Sequence, residues 1–63
     1  MDDEKFNMSM RKFLKQVGVT SQQQIEQAVR DSGKTSGKLA VKVVLTSADV
    51  GLEHTVDGEI ELG

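Results

Sequence analysis

The sequence has no cysteine, no tryptophan and no tyrosine, and each absence closes a route to stability or chemistry. Without thiols there are no disulfides and no thiolate metal sites, the devices that hold many very small secreted domains together. Aromatic content is 3%, so Phe6 and Phe13 alone supply large apolar rings, and valine and leucine have to build most of any core. No long apolar run marks a signal peptide or a membrane span; the expected location is the cytoplasm, with no membrane partner. At 63 residues the chain is one domain, near the lower limit at which a hydrophobic core offsets the conformational entropy of folding. Self-association is the stabilising device still open to it.

What is present is charge, unevenly placed. Lys5, Arg11, Lys12, Lys15, Arg30, Lys34, Lys38 and Lys42 all precede a last third in which Asp49, Glu53, Asp57, Glu59 and Glu61 carry the only charges. Such asymmetry steers partners of either sign. It also reads as helix electrostatics, because Asp2, Asp3 and Glu4 sit where a helix amino end attracts anions, and Lys12 and Lys15 near where a carboxyl end attracts cations.

Phe6, Met10, Phe13, Leu14 and Val17 fall on one helical stripe, which predicts an amphipathic helix over 3–17. Gly18 suits the left-handed residue that closes a helix, with Val19 folding back toward Leu14. Thr20 or Ser21 then reads as the cap of a second helix, 21–32, with Gln23 or Gln24 three residues on to reciprocate, and with Ile25, Ala28 and Val29 as its buried face. The run "SGKTSG" ends it and makes a hinge over 33–37. From Lys38 the apolar period changes from about 3.6 to 2, since Leu39, Val41, Val43 and Leu45 alternate with polar residues. Strands are expected over 38–46, 52–56 and 59–62, with "SADVG" as a connection and Val44 on the outward side. Parity at "VDGE" favours a three-residue loop of Val56, Asp57 and Gly58, pairing His54 with Ile60 and Leu52 with Leu62; one long strand, 52–62, running through a bulge at Gly58 preserves the same parity. The expected fold is α+β: two amino-terminal helices packed on a small antiparallel sheet of two or three strands.

The run "DSGKTSGK" has the letters of a phosphate-binding loop without its spacing. For Gly33-Lys34-Thr35 the first glycine of the motif falls on Ala28, and for Gly37-Lys38 it falls on Ser32, with Leu39 where a hydroxyl is needed. The motif also belongs between a strand and a helix, the reverse of the order here. No nucleotide is expected at this run. His54 has Glu53 and Asp57 nearby, but neighbouring strand residues point to opposite faces, so only one metal ligand is assured; a partly buried structural histidine is the expectation. Glu59 and Glu61 read as the solvated side of a strand. No nucleophile, base and acid arrangement is recognisable, so neither a catalytic residue nor a cofactor is assigned and an enzyme is not expected.

Two surfaces are candidates for contact. Met8 lies across the first helix from Phe6, on the polar side, with Arg11, Lys12 and Lys15 close in projection; this cluster suits a protein partner or a second subunit. The stretch "FLKQVGVTSQQQIEQAVRD" also has the outline of a helix-turn-helix, in which Ser21, Gln22, Gln23 and Gln27 would face bases and Arg30, Lys34, Lys38 and Lys42 phosphates. Against nucleic acid stand the net acidic charge, a second helix with Arg30 as its one cation, and the lack of aromatics for base stacking.

Taken together, "FNMSMRKFLKQVGVTSQQQIEQAVR", "VVLT" and "HTVDGEIEL" resemble a family of small uncharacterised bacterial proteins of about this length, a domain of unknown function. The resemblance runs over nearly the whole chain and implies a stand-alone cytoplasmic domain, with no activity, cofactor or functional residue to carry across. The expected function is a non-catalytic module working through an unknown protein partner or a homodimer. The alternative is a helix-turn-helix-like nucleic-acid binder using 21–32 and the basic 30–42 segment.

Overall fold

The computed structural model describes residues 1–63. The chain divides into two units, Met1–Gly33 and Lys34–Gly63. The first is one helix, α1, Asp3–Ser32. The second is an antiparallel hairpin of β1, Lys38–Ser47, and β2, Leu52–Glu61, joined through a short 3-10 turn at Ala48–Val50.

Helix α1 begins where the charge pattern places it. The Asp2 carboxylate accepts from the backbone N–H of Lys5 at 3.1 Å, and Asp3 and Glu4 occupy the first turn, where the helix dipole favours anions. Its end is also sequence-encoded. Gly33 is left-handed (φ 71°, ψ 5°), its N–H bonds the Arg30 carbonyl, and Arg30 supplies a cation to the last turn.

Between these ends the expected pair of helices, 3–17 and 21–32, does not form: α1 runs unbroken through Gly18. Gly18 does not take a positive φ, so it ends nothing. The Thr20 hydroxyl donates back to the Gln16 carbonyl at 2.7 Å instead of capping a new helix, and the glutamines read as cap partners lie within the helix. Magnitudes explain the outcome. A glycine inside a helix costs about 1 kcal/mol relative to alanine. A break leaves up to about four N–H groups and four carbonyls to be satisfied anew and requires a second nucleation. Side-chain pairs at four-residue spacing add support beyond the glycine, with Gln22 donating to Glu26 at 3.2 Å and Gln27 to Asp31 at 2.9 Å. Val17, Ser21, Ile25 and Val29 form a half-buried row at the same spacing, which passes Gly18 without interruption.

The hairpin turns at 48–51, not at 56–58. Gly51 is left-handed (φ 62°) and its N–H reaches the Ala48 carbonyl, closing a four-residue loop. β2 then passes through Asp57 and Gly58 as one continuous strand, so the three-residue loop does not form, and the bulge expected at Gly58 in the single-strand alternative is absent as well. The register is regular throughout: Leu39 opposite Ile60, Val41 opposite Gly58, Val43 opposite Val56 and Leu45 opposite His54. The Leu62 N–H adds one more bond, to the Gly37 carbonyl at 2.9 Å. Strict alternation sorts the side chains. Leu39, Val41, Val43, Leu45, Leu52, His54, Val56 and Ile60 share one face, and Lys38, Lys42, Glu53, Asp57, Glu59 and Glu61 the other. The fold is thus one long helix followed by a two-stranded antiparallel hairpin, in place of two helices on a sheet. No residue of either unit is buried.

The continuity of α1 is testable at its glycines. A Cβ built on Gly18 meets nothing within 4 Å, so Gly18→Ala should raise stability by about 1 kcal/mol. Gly33→Ala, at a positive φ, should lower it by a similar amount, about 1 kcal/mol. Thermal melts followed by far-ultraviolet circular dichroism separate the cases, because a helix ending at Gly18 would make both substitutions destabilising.

Candidate interaction surfaces

Three surfaces carry the features from which a site could be made. The first is the amino-terminal half of the apolar stripe on α1. Phe6 and Phe13 are each 50% exposed, Met10 41% and Leu14 51%. The sequence marks these residues as core, and the structure places them at the surface, both aromatic rings of the chain included.

The second surface lies across the helix. Met8, Ser9, Arg11, Lys12 and Lys15 line one shallow depression, so the residues picked out as a partner contact do come together. Met8 is 69% exposed, and Lys12 and Lys15 follow it at four and seven residues, which stacks them on one helical face. Their ammonium and guanidinium groups are free to meet anionic groups, but they have no enclosing wall.

The third surface is the hairpin. Its charged face sets Lys38 opposite Glu61 and Lys42 opposite Asp57, while Glu59 faces Ala40 and Glu53 faces Thr46. Val44 sits on this face opposite Thr55, 55% exposed, the outward valine that the alternation predicts. On the apolar face Leu39, Val41, Leu45 and Ile60 are half-buried, whereas Val43, Leu52 and Val56 are exposed. His54 belongs to this face and is exposed, not half-buried as expected. Glu53 and Asp57 point to the other face, and no group of three or more His, Asp or Glu side chains is placed to hold a metal ion.

The residues read as a nucleic-acid contact are dispersed. Gln22 and Gln27 spend their amides on Glu26 and Asp31 along the helix. Gln23 is exposed and Arg30 closes the last turn of α1. Lys34 and Lys38 belong to the second unit, where the Lys34 ammonium donates to the Lys38 carbonyl at 3.0 Å. The helix-turn-helix outline itself is lost, since there is no turn between Phe13 and Asp31. At "DSGKTSGK" the helix presents its carboxyl end, whose carbonyls disfavour a phosphate.

The whole chain, residues 1–63, matches one family. It belongs to a family of unknown function, DUF6494. No curated protein and no solved structure matches. Family membership therefore agrees with the resemblance read from the helix and strand segments and adds no chemistry to the three surfaces. No helix of this family member is long and apolar enough to cross a membrane.

The cross-strand charge pattern gives a direct test of the register. Asp57→Lys sets two ammonium groups opposite each other at position 42 and should destabilise the hairpin by about 0.2–1 kcal/mol. The double variant with Lys42→Asp should recover the loss, as read from paired melting curves.

Proposed function

We propose that this chain is a non-catalytic interaction module whose working form is self-associated. The observation that carries the reading is that no side chain, apolar or polar, is buried in the single chain.

The physical need is general. An isolated two-stranded hairpin is marginal in water, and an isolated helix of mixed composition draws most of its stability from packing rather than propensity. Ordering a backbone costs about 1–2 kcal/mol per residue, and burial is the main term that offsets it. A second copy supplies burial at no cost in new sequence. The non-catalytic part of the proposal draws on the residues themselves: no nucleophile, base and acid arrangement is recognisable in the chain.

Sedimentation velocity across a wide concentration range should show the mass rising from one chain toward a dimer. The melting temperature should rise in step, because association stabilises the folded state by mass action. A single-chain mass throughout, with a melting temperature independent of concentration, overturns the proposal.

A further inference from the structure

We infer that self-association runs through the amino-terminal half of α1 in antiparallel register: Phe6 of one copy packs against Val17 of a second, and Met10 against Phe13. The two-fold axis crosses the helix pair between the levels of Arg11 and Lys12. This assignment rests on the self-association proposed above and names its surface and geometry.

The choice of surface follows from what each unit leaves exposed. Both aromatic rings lie on the α1 stripe, each half exposed, together with Met10 and Leu14, and aromatic anchors dominate the energetics of protein interfaces. On the hairpin the exposed apolar residues are smaller and scattered: Val43, Leu52 and Val56 on the apolar face, with His54 among them, Val44 on the charged face and Val50 in the turn. Its strand edges are also poor seams. An antiparallel β1–β1 seam centred on Lys42 sets the two Lys42 side chains opposite each other, and a β2–β2 seam centred on Asp57 sets Asp57 opposite Asp57 and Glu53 opposite Glu61. Pairing β1 with β2 runs head to tail and does not close.

The spacing of the stripe fits a helix pair. Phe6, Met10, Phe13 and Val17 are separated by four, three and four residues, the alternation of a knobs-into-holes seam. Residues flanking that seam are uncharged: Asn7 and Leu14 on one side, Ser9 and Gln16 on the other. Lys5, Arg11, Lys12 and Lys15 project away from it.

Orientation is decided by charge and by volume. A parallel pair sets Asp2, Asp3 and Glu4 of both copies side by side. The antiparallel register puts the two Asp3 residues about 26 Å apart along the axis, well beyond the Debye length of about 8 Å. Each antiparallel layer also combines one phenylalanine with one aliphatic side chain, so the four layers have similar width. Parallel layers alternate Phe with Phe, Met with Met and Val with Val, wide against narrow, which packs less evenly.

The chain has no cysteine, so single cysteines at Lys5, Lys12 and Val19, seven residues apart on one exposed helix face, take spin labels cleanly. Dipolar distances in the dimer should be shortest for Lys12→Cys and longer for Lys5→Cys and Val19→Cys, whose axial offsets are about 20 and 22 Å. Three equal distances mean a parallel pair and overturn the orientation while leaving self-association intact. A dimer by sedimentation with no measurable coupling at any position overturns the α1 surface. Phe13→Glu should raise the dissociation constant by more than about tenfold, with helix content by circular dichroism unchanged, and Val43→Glu on the hairpin should leave it unchanged. The reverse pattern places the seam on the hairpin and sinks the inference.

Discussion

Burial is the constraint from which the rest of this structure follows. A folded chain has to cover enough apolar surface to offset the entropy of ordering its backbone, and in this one neither the helix nor the hairpin contains a buried side chain. The apolar residues are well ordered into faces all the same. Phe6, Met10, Phe13 and Leu14 share one stripe of α1, and Leu39, Val41, Val43, Leu45, Val56 and Ile60 share one face of the hairpin. Faces this well segregated and this exposed are what the proposal of self-association rests on.

The local interactions are those of an element that has to hold itself together. Asp2 and Gly33 cap α1 at its two ends, Thr20 and Ser32 return their hydroxyls to carbonyls one turn back, and glutamines bridge to acids along the helix. None of these contributes more than about 1–2 kcal/mol. Together they keep 30 residues helical through a glycine and several β-branched positions. In the hairpin the same work falls to the ladder of backbone bonds and to charge complementarity between strands, with a left-handed Gly51 closing the turn.

How much of this was legible in the chain varies with the element. The helix start at Asp2, its end at Gly33 and the strand start at Lys38 all follow from signals spanning three or four residues, because caps and left-handed glycines act locally. Gly18 carries the same letter as Gly33 and means the reverse. A capping pattern competes with helix continuation, and the winner depends on the balance across a longer stretch, including the uninterrupted row Val17, Ser21, Ile25 and Val29. The Asp57-Gly58 pair misleads in the same way: those letters favour a turn, but a ten-residue partner strand from Lys38 to Ser47 absorbs both as ordinary ladder residues. The cluster of Met8, Arg11, Lys12 and Lys15 was readable because helical spacing alone brings it together. The exposure of Phe6, Met10, Phe13 and Leu14 was not, since a large apolar residue in a helical stripe reads as core whether or not anything covers it.

The sequence by itself determined the class of structure, the faces of each element and the absence of thiol chemistry, because periodicity, caps and composition are properties of short segments. Only the tertiary structure decided that two expected helices are one, that the hairpin turns at 48–51, and that the apolar stripe is exposed. The hairpin turn depends on a partner strand distant in the chain, whereas continuity at Gly18 depends on helix propagation weighed against two new ends and a second nucleation over the whole of α1, a balance that a three- or four-residue capping signal does not carry.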